Sequence, residues 1–461
     1  MKRTVIIISA IAALGFLLRV FLAMDNVYSG GYINFPQVDS YFHADFMRQM
    51  LNTFPSITVG YSNWLYDWLV VAVVWVVGLG EPSVELFENV VLFVPPLLAV
   101  GTIILAYLIG QRLFSRNVGI IAALLVAIIP SEFFSRSFLG VIDHHAAEVF
   151  FTTFIAAIVI YVVTQKNLWT WKTAVASATA VICIIGYRYI WAGVLVLMDP
   201  GSAGSTYTVT LYTTTEAIPL MKSSNYFPLL NLLFGASGAY LLARRGIGWH
   251  RFILIGWFAA TAILTIWQVR FDYYMVIPVS LLIGYLIHWT YSRESKLRQI
   301  TRALAVMGMA LIVVLSIPVY IGMVNSEINT PSDEWNKTLT WVKNNTPDDA
   351  VILAWCDYGH WIKYRAERNA YVTPGQGKRV PGVAKMFLSY DGYVELPGDY
   401  IIIDRDTAYN FTRIMSIWAG YDYMSVDDEH TLVGRLYEYR GPPEYGHIYG
   451  EEIKVFKWNG K

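Results

Sequence analysis

The chain has 461 residues, of which 56% are hydrophobic and only 15% charged, against about 25% charged in an ordinary soluble domain. Lys plus Arg and Asp plus Glu each number 34, so the net charge is zero and nothing electrostatic supports a nucleic-acid partner. The two cysteines, Cys183 and Cys356, lie far apart and imply neither a disulfide framework nor a zinc site. The charge deficit is uneven. Long apolar runs fill residues 1–325, and residues 326–461 have a soluble mixture. The expected fold class is an α-helical polytopic membrane domain, 1–325, followed by a soluble α/β domain, 326–461.

A membrane helix needs about 20 mostly apolar residues. Segments at approximately 4–23, 87–109, 118–131, 147–164, 174–197, 227–243, 251–267, 273–290 and 303–323 give nine spans. The first is longer than the roughly 7–15-residue core of a signal peptide and has no small-x-small cleavage site after it, so it reads as a retained helix. Trp64–Gly80 is apolar but interrupted by Tyr66-Asp67-Trp68; it reads as an interfacial helix on the outer face, with a tenth span as the alternative.

Basic residues set the orientation. Lys2, Arg3, Arg112, Arg116, Lys166, Lys172, Arg244, Arg245, Arg251, Arg293, Lys296, Arg298 and Arg302 all fall on one side of nine spans. Asp25, Asp39, Asp45, Glu81, Glu85, Glu88 and Asp143 fall on the other, and a tenth span would break this pattern. The expectation is a multi-pass protein of the cell membrane, N-terminus cytoplasmic and residues 326–461 extracytoplasmic.

In that last region Trp335–Asn344 reads as a helix, Ala350–Trp355 as a strand and Val380–Leu388 as a helix. Tyr400–Asp404 reads as a strand, Thr407–Trp418 as a helix and Glu452–Trp458 as a strand, together a small α/β domain. Asn336-Lys-Thr, Asn344-Asn-Thr and Asn410-Phe-Thr are acceptor sequons, which also arise by chance.

Five clusters carry candidate chemistry. Gln37-Val38-Asp39-Ser40-Tyr41-Phe42-His43 follows span one, and Asp39 alone would be an ordinary solvated loop residue. Asp143-His144-His145-Ala146-Ala147-Glu148 opens span four, where Asp143 and His144 can equally be a helix cap. Thr213-Thr214-Thr215-Glu216, between spans five and six, has a capping box as its plain alternative. Carboxylates and imidazoles at membrane depth are costly to desolvate and mark function when they coincide, and these donors suit Mn²⁺ or Mg²⁺. Gln268-Val269-Arg270-Phe271-Asp272-Tyr273-Tyr274 holds an arginine at the outer surface, suited to a lipid-attached phosphate or to snorkelling toward headgroups. Ala354-Trp355-Cys356-Asp357-Tyr358-Gly359 follows a strand as a binding loop with an apolar wall and an acceptor, or as a buried tryptophan beside a turn.

In this order the clusters resemble those of the catalytic subunit of N-oligosaccharyltransferases, especially its archaeal AglB-like members. The resemblance implies a membrane domain of the GT-C type and an outward soluble domain. It also implies metal-dependent transfer of an oligosaccharide from a polyprenyl (dolichyl) phosphate or pyrophosphate to the asparagine of Asn-X-Ser/Thr. Position by position, it makes Asp39 a metal ligand that touches the acceptor amide, and Asp143 and His145 metal ligands for Mn²⁺ or Mg²⁺. Glu216, in the motif opened by Thr213, would grip the acceptor asparagine, leaving Asp39 and Glu216 as the catalytic pair. Arg270, with Arg136 and His144, would hold the carrier phosphate. Trp355, Cys356, Asp357 and Tyr358 would read the acceptor peptide, with Arg413 and Ile417 on the helix after Tyr400–Asp404 as the other wall. The implied partners are the lipid-linked donor, an acceptor polypeptide and membrane lipid, with no nucleic acid, in a single-subunit enzyme.

Two departures stand out. Cys356 occupies a position where the family has tryptophan, which removes part of the wall against a threonine methyl. Glu148 and Thr215 lie only 67 positions apart, room for two spans where relatives have several more. Three rival readings remain open: a GT-C transferase with another acceptor, a transporter using Asp39, Asp143 and Arg270, and a shortened non-catalytic relative. The transporter reading lacks the internal repeat such proteins show.

Overall fold

The structure is a computed structural model that describes residues 2–55, 64–165, 220, 227–245, 251–292, 298–327, 330–374, 379–391, 397–422 and 426–459. It forms two compact units. The first takes the described residues of Met1–Asn26, Phe54–Ala203 and Thr214–Ile328; the second takes those of Val27–Thr53 and Asn329–Lys461.

The first unit is helical. Helices Lys2–Val27, Val84–Leu113, Arg116–Ile128, His145–Val163, Phe227–Arg244, Phe252–Trp267, Asp272–Ser292 and Arg298–Glu327 stand where eight of the nine spans are expected. The remaining expectation, 174–197, lies outside the described residues. Five described stretches are long and apolar enough to cross a membrane: Lys2–Val27, Val84–Leu113, His145–Val163, Val269–Ser292 and Val306–Val324. Trp64–Val77 is a 14-residue helix whose Asp67 is fully buried.

Helix association in lipid relies on close packing by small residues. Gly110 and Gly119 meet where Val84–Leu113 crosses Arg116–Ile128; a Cβ on Gly110 would come within 2.8 Å of the Gly119 Cα. Around this contact a core of Ala106, Ile109, Ala122, Val126, Leu281 and their neighbours is continuous.

Residues 129–144, between two apolar helices, are largely irregular yet buried, so their polar groups must be met from within the protein. Arg19 does much of this. Fully buried, it donates to Ser137 Oγ at 2.7 Å and to the carbonyls of Gly15 and Ala127 at 3.0 and 3.1 Å, with Phe134 4.5 Å from its guanidinium carbon. The Gly140 N–H donates to Leu92 O at 3.0 Å, and the Leu139 N–H to Arg19 O at 3.1 Å. The Glu132 N–H donates to Asp272 Oδ2 at 3.4 Å, and Tyr320 donates to Ile128 O.

The second unit is a five-stranded sheet flanked by short helices: β1 Val351–Leu353, β2 Asn369–Ala370, β3 Tyr400–Ile403, β4 Tyr445–Tyr449 and β5 Lys454–Trp458. Its order is β2-β1-β3-β5-β4, with β1 parallel to β2 and β3, and β5 antiparallel to β3 and β4. Tyr400-Ile401-Ile402-Ile403 is buried throughout, as a central strand requires. Helices Asp333–Asn345 and Val380–Phe387 agree with the predicted ones, and Thr412–Ala419 covers the latter part of the expected Thr407–Trp418. Expected strand Ala350–Trp355 ends at Leu353, because the chain turns at once into the 3₁₀ turn Cys356–Tyr358. Asn336 is 1% exposed and donates to Asn34 Oδ1 at 3.1 Å, so that sequon is closed to modification; Asn344 and Asn410 are exposed.

Residues 27–53 pack on this sheet-containing unit through aromatic edges. Phe35 and Tyr41 lie 5.5 and 5.7 Å from the Tyr364 ring, and Tyr41 lies 6.3 Å from Trp361.

Two predictions follow the buried polar groups. Arg19→Leu should destabilise the first unit by on the order of 2–3 kcal/mol, because it strands buried carbonyls; thermal unfolding in detergent measures it, and an unchanged midpoint would contradict the assignment. His360 is driven down to about 3, first by burial and then by the Lys363 and His43 charges. The unfolded chain therefore binds a proton between pH 6.5 and 3 that the folded chain refuses, so stability falls on acidification by up to about 1.4 kcal/mol per pH unit. His360→Phe should flatten that slope in unfolding measured across the same window.

Candidate active site

Among the described residues of the first unit, a polar constellation begins where residues 129–144 enter helix His145–Val163. Gly140 takes φ +80°, a left-handed conformation that glycine adopts without penalty, and so turns the chain toward that helix. Asp143 is 2% exposed; its Oδ1 accepts the His144 N–H at 2.6 Å and lies 2.5 Å from His144 Nδ1. His144 is the N-cap residue without a side-chain cap bond, so a capping role describes Asp143 only in part.

His145 lies between two carboxylates. Its Nε2 is 3.3 Å from Asp143 Oδ2, and its Nδ1 is 3.3 Å from Glu148 Oε2, one turn along the helix. Glu148 is itself fixed by the Tyr274 hydroxyl, which donates to Oε2 at 2.9 Å. Arg136 Nη1 stands 3.8 Å from Asp143 Oδ2. The Tyr273 ring packs 5.2 Å from His145, within electrostatic reach of Glu148, Arg270 and Arg136. Arg270 sits in the 3₁₀ turn Val269–Phe271, and its buried Nε has no acceptor among the described residues. The first unit therefore gathers Arg136, Asp143, His144, His145 and Arg270.

These residues fit a divalent cation. Glu148 holding Nδ1 fixes the tautomer that presents Nε2 beside the Asp143 carboxylate, the carboxylate–histidine arrangement that orients metal-binding imidazoles. Ligand atoms of His144, His145 and Glu148 also lie within 4.8 Å of one another. Glu148 and Tyr274 were not singled out as site residues by sequence, although Glu148 stands three residues from His145 on a helix, the spacing at which side chains meet.

The second unit holds the other described candidates. Asp39 opens helix Val38–Leu51, and Trp355-Cys356-Asp357-Tyr358 follows β1. The Asp357 carboxyl is pushed up mainly by burial, with the Asp39 charge adding to it and the hydrogen bond from Cys356 opposing it. Burial likewise raises the Cys356 thiol, which donates to Asp357 Oδ1 at 3.6 Å and stays protonated. The Tyr358 hydroxyl is committed to Asp404 Oδ2 at 2.6 Å. Asp404 also takes the Trp335 indole at 3.1 Å and the Thr407 N–H and hydroxyl at 2.8 and 2.6 Å. Arg413 is exposed and Ile417 half-buried on helix Thr412–Ala419, joined to the loop through Tyr358 against Phe411 at 6.1 Å. Thr213 and Glu216 lie outside the described residues.

Residues 21–200 match the family described as Oligosaccharyl transferase STT3, N-terminal. The fold is similar to that of the archaeal oligosaccharyltransferase AglB from Archaeoglobus fulgidus, solved with an inhibitory peptide and a dolichol-phosphate. The TM-score is 0.75 over 97% of this chain and 79% of that one, at 16% identity. Its fold is AglB-like.

The chain is 34% identical over 116 residues to the dolichyl-monophosphooligosaccharide–protein glycotransferase AglB of Haloferax volcanii, 24% of this chain and 11% of that protein. It is 25% identical over 190 residues to the dolichyl-phosphooligosaccharide-protein glycotransferase 2 of Pyrococcus furiosus, 40% of this chain and 24% of that protein. The matched segments thus span no more than 24% of these relatives' length. An Archaeoglobus fulgidus oligosaccharyltransferase solved in complex with Zn and sulfate has a similar fold, with a TM-score of 0.64 over 98% of this chain and 73% of that one, at 17% identity.

Glu148→Gln should weaken Mn²⁺ binding by about 10- to 100-fold through loss of His145 orientation. Isothermal titration of the detergent-purified protein reads this, and an unchanged affinity would leave Glu148 with a packing role only.

Proposed function

We propose that this AglB-like chain is a membrane glycosyltransferase that moves an oligosaccharide from a polyprenyl phosphate or pyrophosphate to the asparagine of Asn-X-Ser/Thr. The observation that carries the reading is the oriented Asp143–His145–Glu148 set with Arg136 and Arg270 around it, in a chain of AglB fold. Residues 1–325 are the transmembrane catalytic domain and 326–461 an extracytoplasmic domain bearing the Trp355–Gly359 loop, with the N-terminus cytoplasmic.

An asparagine amide is a poor nucleophile because its nitrogen lone pair is delocalised, as in a peptide bond. Asp39 and Glu216 accept hydrogen bonds from the two amide N–H groups and draw the nitrogen away from that delocalised geometry. Asp143 and His145 hold a divalent ion, Mn²⁺ or Mg²⁺, which when bound supplies Lewis-acid stabilisation of negative charge on phosphate oxygens. Arg270 has a buried Nε without an acceptor among the described residues and a guanidinium suited to phosphate, so it holds the carrier; Arg136 and His144 support it. The buried wall of Trp355 and the Asp357 carboxyl receive the Ser or Thr of the sequon. Cys356 shortens that wall, so selection of threonine over serine is weaker than an indole there would give.

The reading is tested with purified protein, lipid extract containing native lipid-linked oligosaccharide, and a fluorescent Asn-X-Thr peptide, with Mn²⁺ or with EDTA. A metal-dependent mass increase on the asparagine is expected. Asp39→Ala with Glu216→Ala should reduce transfer at least about 100-fold, in the range general acid–base groups supply. Wild-type rates in that double variant would overturn the amide-activation step, and no transfer by a folded, carrier-binding protein would favour a non-catalytic relative.

A further inference from the structure

The sheet of the second unit has a feature that the sequon reading leaves unused. From β1 the chain moves to β2 on one side, then crosses to β3 on the other, so the order β2-β1-β3 reverses direction at β1. In sheets with parallel strands, ligands bind outside the carboxyl ends of the strands where the order reverses. A cavity of about 470 Å³ lies there, lined by Asp357 and Tyr358 after β1 and by Asp404, Arg405 and Asp406 after β3. Trp335, Trp361, Phe411, Tyr437 and Glu452 also contribute to its wall. Trp355, Cys356, Arg413 and Ile417, assigned above to sequon reading, are not among its lining residues.

Four carboxylates meet a single guanidinium in this wall, so its formal charge is strongly negative. The aromatic rings are contiguous: Trp335 to Tyr358 is 4.4 Å, Tyr358 to Trp361 5.1 Å and Tyr358 to Phe411 6.1 Å between centroids. Rings and carboxylates around one space form a cage for an organic cation. Asp404 is already taken by four internal donors, and Asp406 Oδ1 takes Asn410 at 2.6 Å. That leaves Asp357, at the inner wall, and the exposed Glu452 as carboxylates with capacity for a cation. Trp361 is 2% exposed, and its indole N–H has no acceptor among the described residues. A bare ammonium offers no acceptor to that N–H, whereas a main-chain carbonyl does. One ligand class satisfies both needs.

We infer that this cavity binds a lysine or arginine side chain of a polypeptide, with the neighbouring carbonyl available to Trp361. The inference rests on the acceptor-peptide reading of the Trp355–Gly359 loop in taking that polypeptide to be the acceptor, because Asp357 and Tyr358 belong both to that loop and to the cavity. It adds a second element of acceptor selection, a basic residue at a fixed distance from the sequon.

The test uses the full-length protein in detergent and fluorescence anisotropy of labelled peptides. One lysine is moved through an alanine background on either side of Asn-Ala-Thr, with norleucine at the same positions as the uncharged match. One position is expected to tighten binding by about 5- to 30-fold, the range of a desolvated cation–π contact. In Glu452→Gln, an exposed side chain outside the proposed catalytic set, that gain should fall to less than about 3-fold. Equal gain at every position, equal gain in the variant, or equal binding of norleucine would overturn the inference. A parallel peptide with Gln in place of the sequon asparagine separates the two readings. Position-specific lysine dependence without asparagine dependence would sink the sequon reading and keep the cavity, and the reverse would sink the cavity alone. No binding of any peptide sinks both.

Discussion

The first unit is organised by the burial of a largely irregular segment. Residues 129–144 carry Ser131, Glu132, Ser135, Arg136, Ser137 and Asp143 out of contact with water, and each unmet polar group in such surroundings costs several kcal/mol at the order-of-magnitude level. Arg19 from the first helix meets Ser137, Leu92 O from Val84–Leu113 meets the Gly140 N–H, and Asp272 meets the Glu132 N–H, from three helices. The segment is thereby fixed against the surrounding bundle, and Arg136, Asp143 and His144 inherit its rigidity.

That rigidity has chemical consequences. An imidazole whose Nδ1 is held by Glu148 has one nitrogen left to present, and Tyr274 holds Glu148 in turn. The chain of contacts runs from helix Asp272–Ser292 through Glu148 to His145 and Asp143, so the geometry of the candidate metal ligands depends on packing between two helices. Arg270 belongs to the turn that starts one of them. Cation and anion groups thus share one scaffold, as a site for a metal and a phosphate needs.

In the second unit the organising constraint is the parallel pairing of β1 with β3. Both strands deliver an acidic turn at their carboxyl ends, Asp357 after one and Asp404 after the other. Asp404 is spent on structure: it holds Trp335, Tyr358 and Thr407 and so fixes the loop from behind. Asp357 is left raised by burial and by Asp39, a carboxyl without a cationic partner among the described residues. The same strand pairing therefore makes both the Trp355–Gly359 loop and the cavity beside it.

Much of this was legible in the sequence, because apolar length and basic-loop asymmetry are local properties. Eight expected spans are helices, and the main α/β segments of the second unit appear where periodicity and composition put them. Where helices end is set by tertiary contacts. The strand expected to Trp355 stops at Leu353, and expected helix Thr407–Trp418 begins instead as the wider turn Asp406–Asn410 under the Asp404 cap, followed by Thr412–Ala419. Strands β2 and β4 escaped notice because short strands exist only through their partners. The sequence by itself determined which residue types stand at each end of each apolar run: Asp-His-His at one, Arg270 at another, Trp-x-Asp-Tyr-Gly after a strand. Only the tertiary structure decided that Glu148 and Tyr274 orient His145, that Asn336 is closed, and that Asp404 is structural while Asp357 is not. Those distinctions rest on desolvation and on hydrogen bonds between residues distant in the chain, which no local pattern encodes.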